Sequence, residues 1–206
     1  MNTTTYQNVS LPVMETFYSI QGEGANAGKA AYFIRLAGCD VGCHWCDVKD
    51  SWDISKHPLI SIEELVAGAM KHPSRNVIIT GGEPLQHDLN ALCWALATNG
   101  FNIWLETSGA FPLSGEFDWI CLSPKKFKAP LDEVYGLADE LKVVVFNKTD
   151  FKWAEDNAKK VKPYCRLYLQ PEWDQKDIVL PLVIDYVKAH PQWSISLQNH
   201  KYIHVP

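Results

Sequence analysis

Short apolar runs of strand character recur along this chain, separated by helical stretches, and a knot of polar residues follows almost every run. The runs fall at residues 32–36, 76–80, 101–106, 119–123, 141–146, 166–170 and 193–198. Ser61, with Glu64 three positions on, is a capping box that opens a helix to about Lys71. Residues 87–99 carry helical periodicity and stop at Gly100, and further helices are expected near 150–160 and 177–190, where Pro181 either starts or kinks the last one. Strands alternating with helices imply right-handed crossovers and a mostly parallel sheet. Four helices for seven strands are too few for a complete eightfold barrel. The expected fold is therefore α/β, an incomplete, splayed TIM-like barrel forming one domain over residues 1–206.

In such a barrel the C-terminal strand ends assemble the site. The first run leads into Cys39, Cys43 and Cys46, the second into Gly81-Gly-Glu-Pro84 and the third into Glu106-Thr-Ser-Gly109. Ser123-Pro-Lys125, Gln170-Pro-Glu172 and Gln198-Asn-His-Lys201 follow later runs. Three thiolates spaced C-x3-C-x2-C, with no fourth cysteine nearby, suit an iron–sulfur cluster in which one iron keeps an open position. A structural zinc site would need a closed fourth ligand, from His44 crowded between two cysteines, from His57 or from the distant Cys93. The remaining cysteines, Cys93, Cys121 and Cys165, lie in apolar runs and read as core thiols, so no disulfide framework is expected.

With 206 residues, 47% of them hydrophobic and eight of them tryptophan, one domain can bury a full core. No run approaches the roughly 18 apolar residues of a membrane span. Met1 to Gln7 is polar, with no basic segment leading into an apolar one, so a cytoplasmic protein is expected. A net charge of −5 argues against a nucleic-acid backbone as partner, and the local cluster Lys125, Lys126 and Lys128 does not reverse that.

The cysteine motif with Trp45 inside it, followed one strand later by Thr80-Gly-Gly-Glu-Pro84, resembles the radical S-adenosylmethionine (SAM) superfamily. Ile20-Gln-Gly-Glu-Gly24, Arg35-Leu-Ala-Gly-Cys39, Glu106-Thr-Ser-Gly109, Ser123-Pro-Lys125, Leu141-Lys-Val143, Gln170-Pro171 and the final Leu197-Gln-Asn-His-Lys-Tyr-Ile-His-Val-Pro206 narrow it. Across nearly the whole chain these segments are similar to the 7-carboxy-7-deazaguanine synthases. The resemblance implies a 4Fe-4S cluster on Cys39, Cys43 and Cys46, with SAM chelating the open iron and giving a 5'-deoxyadenosyl radical. It implies contraction of 6-carboxy-5,6,7,8-tetrahydropterin to 7-carboxy-7-deazaguanine with loss of ammonia, in queuosine biosynthesis. It further implies a homodimer and an electron donor such as flavodoxin or ferredoxin.

By the same resemblance, Ile20, Gln21, Gly22, Glu23, Arg35, Thr80, Glu106, His200 and Pro206 contact the substrate, with the terminal carboxylate reading the amino edge of the pterin. Trp45, Cys46, Asp47, Gly82, Ser123, Pro124, Lys125, Gln170 and Pro171 contact SAM. Arg35 suits a carboxylate through two parallel hydrogen bonds, with His200 or Lys201 to assist it. Gly81 and Gly82 are expected to let the backbone approach the methionine moiety. Tyr202, Ile203 and Val205 give the tail apolar anchors, so order is expected there. One position departs from the family: Val48 stands where a Thr or Ser usually helps bind Mg2+, and a valine cannot ligate a hard cation. Asp47, Asp50 or Ser51 could substitute, or the ion could be held by substrate and water, or be absent. Two other functions stay open on the residues alone: a radical SAM activase acting on a partner protein, and a zinc-stabilised binding module without catalysis.

Overall fold

The computed structural model describes residues 9–206; Met1 to Gln7, whose polarity was read above, lie outside the described residues. Nine strands form one sheet: β1 (Ser10–Ile20), β2 (Ala30–Leu36), β3 (Leu59–Ser61), β4 (Asn76–Gly81), β5 (Asn102–Thr107), β6 (Trp119–Leu122), β7 (Glu140–Val145), β8 (Arg166–Pro171) and β9 (Trp193–Ile195). Their order is β3-β1-β2-β4-β5-β6-β7-β8-β9. From β2 onward every neighbour is parallel, whereas β1 pairs antiparallel with both β2 and β3. The seven expected strands are all present, and the splayed, unclosed parallel barrel is as read. The two antiparallel strands escaped the sequence reading for a physical reason. A register shift between Val13 and Glu15 breaks the period of two in β1, and β3 is only three residues long.

Alternation along the parallel strands sorts the side chains. Tyr32, Ile34 and Leu36 of β2, Val77 and Ile79 of β4, and Ile103 and Leu105 of β5 face outward and join a buried cluster with Leu65, Leu92 and Leu96. The last three come from α1 (Ile62–Met70) and α2 (Asn90–Thr98). In the other half, Leu141, Val143 and Val145 of β7 and Leu169 of β8 pack on Val179 and Val183 of α5 (Lys176–Ala189), near α4 (Asp150–Ala158). Each such side chain contributes about 1.5–3 kcal/mol by leaving water. The opposite parity faces inward: Phe33, Ile78 and Trp104 pack with Phe17 and Trp119 as a floor, and polar residues stand above it.

The capping box at Ser61 is present, with Glu64 N donating to Ser61 Oγ at 3.2 Å and Ser61 N to Glu64 Oε2 at 3.1 Å. Helix α2 starts later than periodicity suggested, because Pro84–Gln86 forms a 3-10 turn and Asp88 then caps Asn90 N at 2.9 Å. Pro181 neither starts nor ends α5; it lies in its interior. Two short helices were not foreseen, α3 (Asp132–Tyr135) and α6 (Asn199–Ile203), the latter taking up the tail after β9 stops at Ile195.

The two ends of the sheet do not meet, and the turn after β1 fills the gap with the tail. Asn199 N donates to Gly22 O at 3.0 Å, Gly24 N to Ser196 Oγ at 2.9 Å, and Gln198 Nε2 to Glu23 Oε1 at 2.9 Å. Gly22 is bare because the His200 ring occupies the space a Cβ would take. Among the described residues no helix is long and apolar enough to cross a membrane.

Candidate active site

The strand C-terminal ends surround a cavity of about 280 Å³. Its mouth is the cysteine loop. Cys39, Cys43 and Cys46 all line the cavity. Gly38 N donates to Ser51 O at 2.6 Å and Cys46 N to Cys43 O at 3.1 Å, fixing the loop. Among the described residues no three His, Cys, Asp or Glu side chains are arranged to hold a single metal ion. The three cysteines share the lining of one cavity, and three thiolate donors are the kind of set that holds an iron–sulfur cluster. Burial pushes the Cys43 thiol up to about 11, the neighbouring thiols adding to it and Lys125 opposing; burial also raises Cys39. Positive iron would reverse that balance, since a coordinated thiol is deprotonated outright.

The turn after β4 clamps this loop from behind. Glu83 N donates to Gly38 O at 2.8 Å and Gly82 N to Leu36 O at 3.1 Å. A Cβ on Gly82 would overlap the Gly38 carbonyl and the Cys39 side chain, and one on Gly81 would overlap the Leu36 backbone. These glycines therefore also serve a close approach within the protein, Gly81 to the end of β2 and Gly82 to the cysteine loop, while both line the cavity. Glu83, given no role from the sequence, is the keystone of the turn. Its buried carboxylate accepts from Leu85 N at 3.1 Å, Thr107 Oγ1 at 2.5 Å, Ser108 N at 2.7 Å and Ser108 Oγ at 2.5 Å.

Deeper in the cavity Lys142 of β7, only 3% exposed, bridges Glu23 Oε2 at 2.6 Å and Glu106 Oε2 at 2.9 Å. Gln21 Nε2 donates to the other Glu106 oxygen at 3.0 Å. Burial pushes the Glu23 carboxyl up, but Lys142 and two side-chain hydrogen bonds outweigh it and hold it at about 2. Burial opposes the charge on Lys142, yet its pKa is displaced upward, the Glu106, Glu23 and Glu140 carboxyls around it favouring the ammonium.

Arg35 and Thr80, register partners across β2 and β4, form the adjacent wall. Arg35 Nε donates to Glu15 Oε1 at 2.7 Å, and its guanidinium stacks 5.8 Å from the Phe17 ring centroid. The Nη pair therefore remains as the fork for a ligand carboxylate. On the far wall Lys125 Nζ donates to Ser123 Oγ at 2.6 Å and lies 5.2 Å above the Trp45 ring; burial lowers its pKa. Gln170 Oε1 accepts from Ser196 Oγ at 2.8 Å. The tail seals the rim: Lys201 pairs with Asp47 at 2.9 Å, Tyr202 meets Trp173 edge-on at 5.2 Å, and Ser19 Oγ donates to Pro206 O at 2.8 Å. Burial lowers the His200 pKa, favouring the neutral ring.

A 7-carboxy-7-deazaguanine synthase from Flavobacterium psychrophilum is 50% identical over 95% of this chain and 93% of its own length. This chain belongs to the 7-carboxy-7-deazaguanine synthase family. A second member, from a Synechocystis species, is 51% identical over 96% of this chain and 94% of its own. Residues 33–127 match the Radical SAM superfamily. The crystal structure of QueE from Escherichia coli superposes with a TM-score of 0.85 at 33% identity, covering 95% of this chain and 96% of that one. An enzyme of the 7-carboxy-7-deazaguanine synthase family within that superfamily uses a 4Fe-4S cluster and SAM, which displaces both the zinc module and the protein activase.

The cavity brings together every residue expected to touch substrate, SAM or cluster except Pro124 and Lys201. Ile20, Gln21, Gly22, Glu23, Arg35, Thr80, Glu106, His200 and Pro206 line it, as do Trp45, Cys46, Asp47, Gly82, Ser123, Lys125, Gln170 and Pro171. Pro124 does not: it is buried behind the wall and shapes the Ser123–Lys125 turn. Lys142, Glu83, Val144, Glu172 and Trp173 also line the cavity and were not singled out. Lys142 had a legible signal, a lysine in the middle of the apolar run Glu140-Leu-Lys-Val-Val-Val145. Val48 lines the cavity as well, and the Ser51 hydroxyl, fully buried, donates to Val48 O at 2.6 Å.

Proposed function

We propose that this chain converts 6-carboxy-5,6,7,8-tetrahydropterin to 7-carboxy-7-deazaguanine with release of ammonia, as a single-domain cytoplasmic enzyme of queuosine and deazapurine biosynthesis. The observation that carries the reading is one cavity holding, on separate walls, three thiols, a guanidinium fork and a carboxylate pair. When bound, the cluster and SAM supply hydrogen-atom abstraction from the pterin C6 and its return. The chain's own residues bind, orient and exclude water. The Arg35 Nη pair takes the substrate carboxylate, with neutral His200 beside it. Glu106 and Gln21, hydrogen-bonded to each other, read the ring edge with Ile20, Gly22, Glu23 and Thr80. Ser19 holds Pro206 against the same cavity, where a terminal carboxylate accepts two N–H groups side by side. Trp45, Cys46, Asp47 and Gly82 flank SAM on one side, and Ser123, Lys125, Gln170 and Pro171 on the other, with Pro124 acting through the turn.

Magnesium, in this reading, is not held by a side chain at position 48. Ser51 is turned to a carbonyl and Asp47 is paired with Lys201, so neither stands ready to replace the missing hydroxyl. The reductant is flavodoxin or ferredoxin, one-electron donors that suit the aromatic face beside the cysteine loop, where Lys126 pairs with Asp150 and Lys128 with Asp40. There exposed His44 meets Phe127 edge-on at 5.3 Å between Lys126 and Lys128. A homodimer follows the resemblance, and sedimentation equilibrium tests it.

The deciding experiment is anaerobic turnover of reconstituted protein with SAM, reductant and the pterin, read by mass spectrometry. 7-Carboxy-7-deazaguanine is the expected product. Cleavage of SAM to 5'-deoxyadenosine without that product would keep the radical chemistry and remove the substrate. Adding one glycine after Pro206 is expected to weaken pterin binding; unchanged affinity removes the terminal carboxylate from the site.

A further inference from the structure

A lysine ammonium buried among apolar strands is costly, and a methionine of similar shape would fill the space without desolvating a charge. Lys142 is nevertheless placed on the inward face of β7, with both of its carboxylate partners on the cavity wall. Several groups face its ammonium: Glu23 from the turn after β1, Glu106 from β5, Cys121 from β6 and Glu140 from its own strand, with Lys125 and His200 further round. The partners are themselves tied down. Gln198 Nε2 holds Glu23 Oε1 at 2.9 Å and Gln21 Nε2 holds Glu106 Oε1 at 3.0 Å, so each carboxylate is gripped on both oxygens. The two half-buried carboxylates thus share one ammonium, which balances their charge where they meet.

We propose that Lys142 is a positioning residue that keeps Glu23 and Glu106 together as acceptor-only carboxylates on the cavity wall, setting the site for a neutral ring edge that presents N–H donors. This rests on the pterin reading above in its choice of ligand, but the charge arrangement is a property of the protein alone. A protonated carboxyl would turn a donor toward the N–H groups it should accept, and binding would fail without any change in shape. The lysine therefore acts through the two glutamates and touches no reacting atom.

The test uses the reconstituted holoenzyme and the variants K142M, K142R and K142M/E106Q. Infrared titration of protein labelled with 13C-glutamate, assigned with E23Q and E106Q, reads ionisation without ligand. In wild type and K142R both bands stay ionised from pH 5 to 8; in K142M one becomes protonated within that range. Binding of 6-carboxy-5,6,7,8-tetrahydropterin, measured anaerobically without reductant, is expected to be level with pH in wild type and K142R. In K142M it strengthens as pH rises, by up to about 10-fold per pH unit below the raised pKa, while iron content and SAM affinity hold. Glutamate bands in K142M that match wild type overturn the inference, as does weakening that is equal at every pH. Should wild type bind no pterin, the proposed substrate falls and the infrared titration decides the role of Lys142 on its own. If K142M does not fold, E106Q is expected to rescue it by removing the uncompensated charge, and no rescue refutes the pairing.

Discussion

Replacing Glu83 with glutamine tests whether the keystone carboxylate is what joins the turn after β4 to the end of β5. The wild-type group receives four donors, two on each oxygen. The amide that keeps its oxygen toward Leu85 N and Thr107 Oγ1 must aim its NH2 at Ser108 N and Ser108 Oγ. The Ser108 hydroxyl can rotate to accept, but the backbone N–H cannot and is left facing another donor. Hydrogen bonds to a charged group are worth about 1.5–3 kcal/mol each, so losing one outright and weakening others should cost about 3–5 kcal/mol. For a chain of this length each kcal/mol lowers Tm by about 2–4 °C, so a fall of about 10 °C is expected. Circular dichroism melting of the reconstituted protein measures it, alongside the apparent KM for SAM, which should rise as the turn loosens. A melting point within about 2 °C of wild type would show that the four contacts do not act as one buried acceptor.

Gly82→Ala should lower iron and sulfide bound per chain by pushing the Gly38–Cys39 backbone away, and wild-type cluster content would contradict the close approach. Glu23 has its carboxyl lowered from 4.5 to about 2, with burial overridden by Lys142, so its stabilisation is complete above pH 4.5 and drains away as pH falls toward 2. E23Q should therefore flatten the fall in Tm across that window, and an unchanged slope would refute it. Activity after chelation should show no magnesium dependence, whereas Val48→Thr should create one; dependence in wild type would show that the ion is still used, held by substrate and water or by another side chain. The double variant K126A/K128A should slow turnover with reduced flavodoxin but not with dithionite, and equal slowing with both would move the donor's docking face elsewhere.

The parallel half of the fold was legible because strands buried on both faces read as apolar runs, and the helices between them carry capping and stop residues at Ser61 and Gly100. β1 was not, since its bulge spoils the alternation that would have announced it. Motif chemistry placed nearly all of its own candidates in one cavity, because barrel topology sends the strand ends to one face. The charge network was harder to see. Lys142 sits 119 residues from Glu23 and 36 from Glu106, and only the sheet's register makes them neighbours. The glycines of the turn after β4 were legible as a motif but not as a packing joint, because what a missing Cβ avoids is a three-dimensional fact.

The seam that fills the open side of the sheet also has a consequence for synthesis. Gly22 and Asn199 meet across 177 residues, so the ribosome delivers one half of that wall long before the other. All three cluster thiols emerge early, yet the chamber beside them stays open to solvent until the last β-strand has been made and the tail has folded across. Iron loading and chamber closure are thus separable in time, and a cluster inserted during translation would meet water and oxygen unshielded. The same geometry advises the experimentalist to attach affinity tags at the front of the chain, since residues 196–206 are masonry rather than trailing thread.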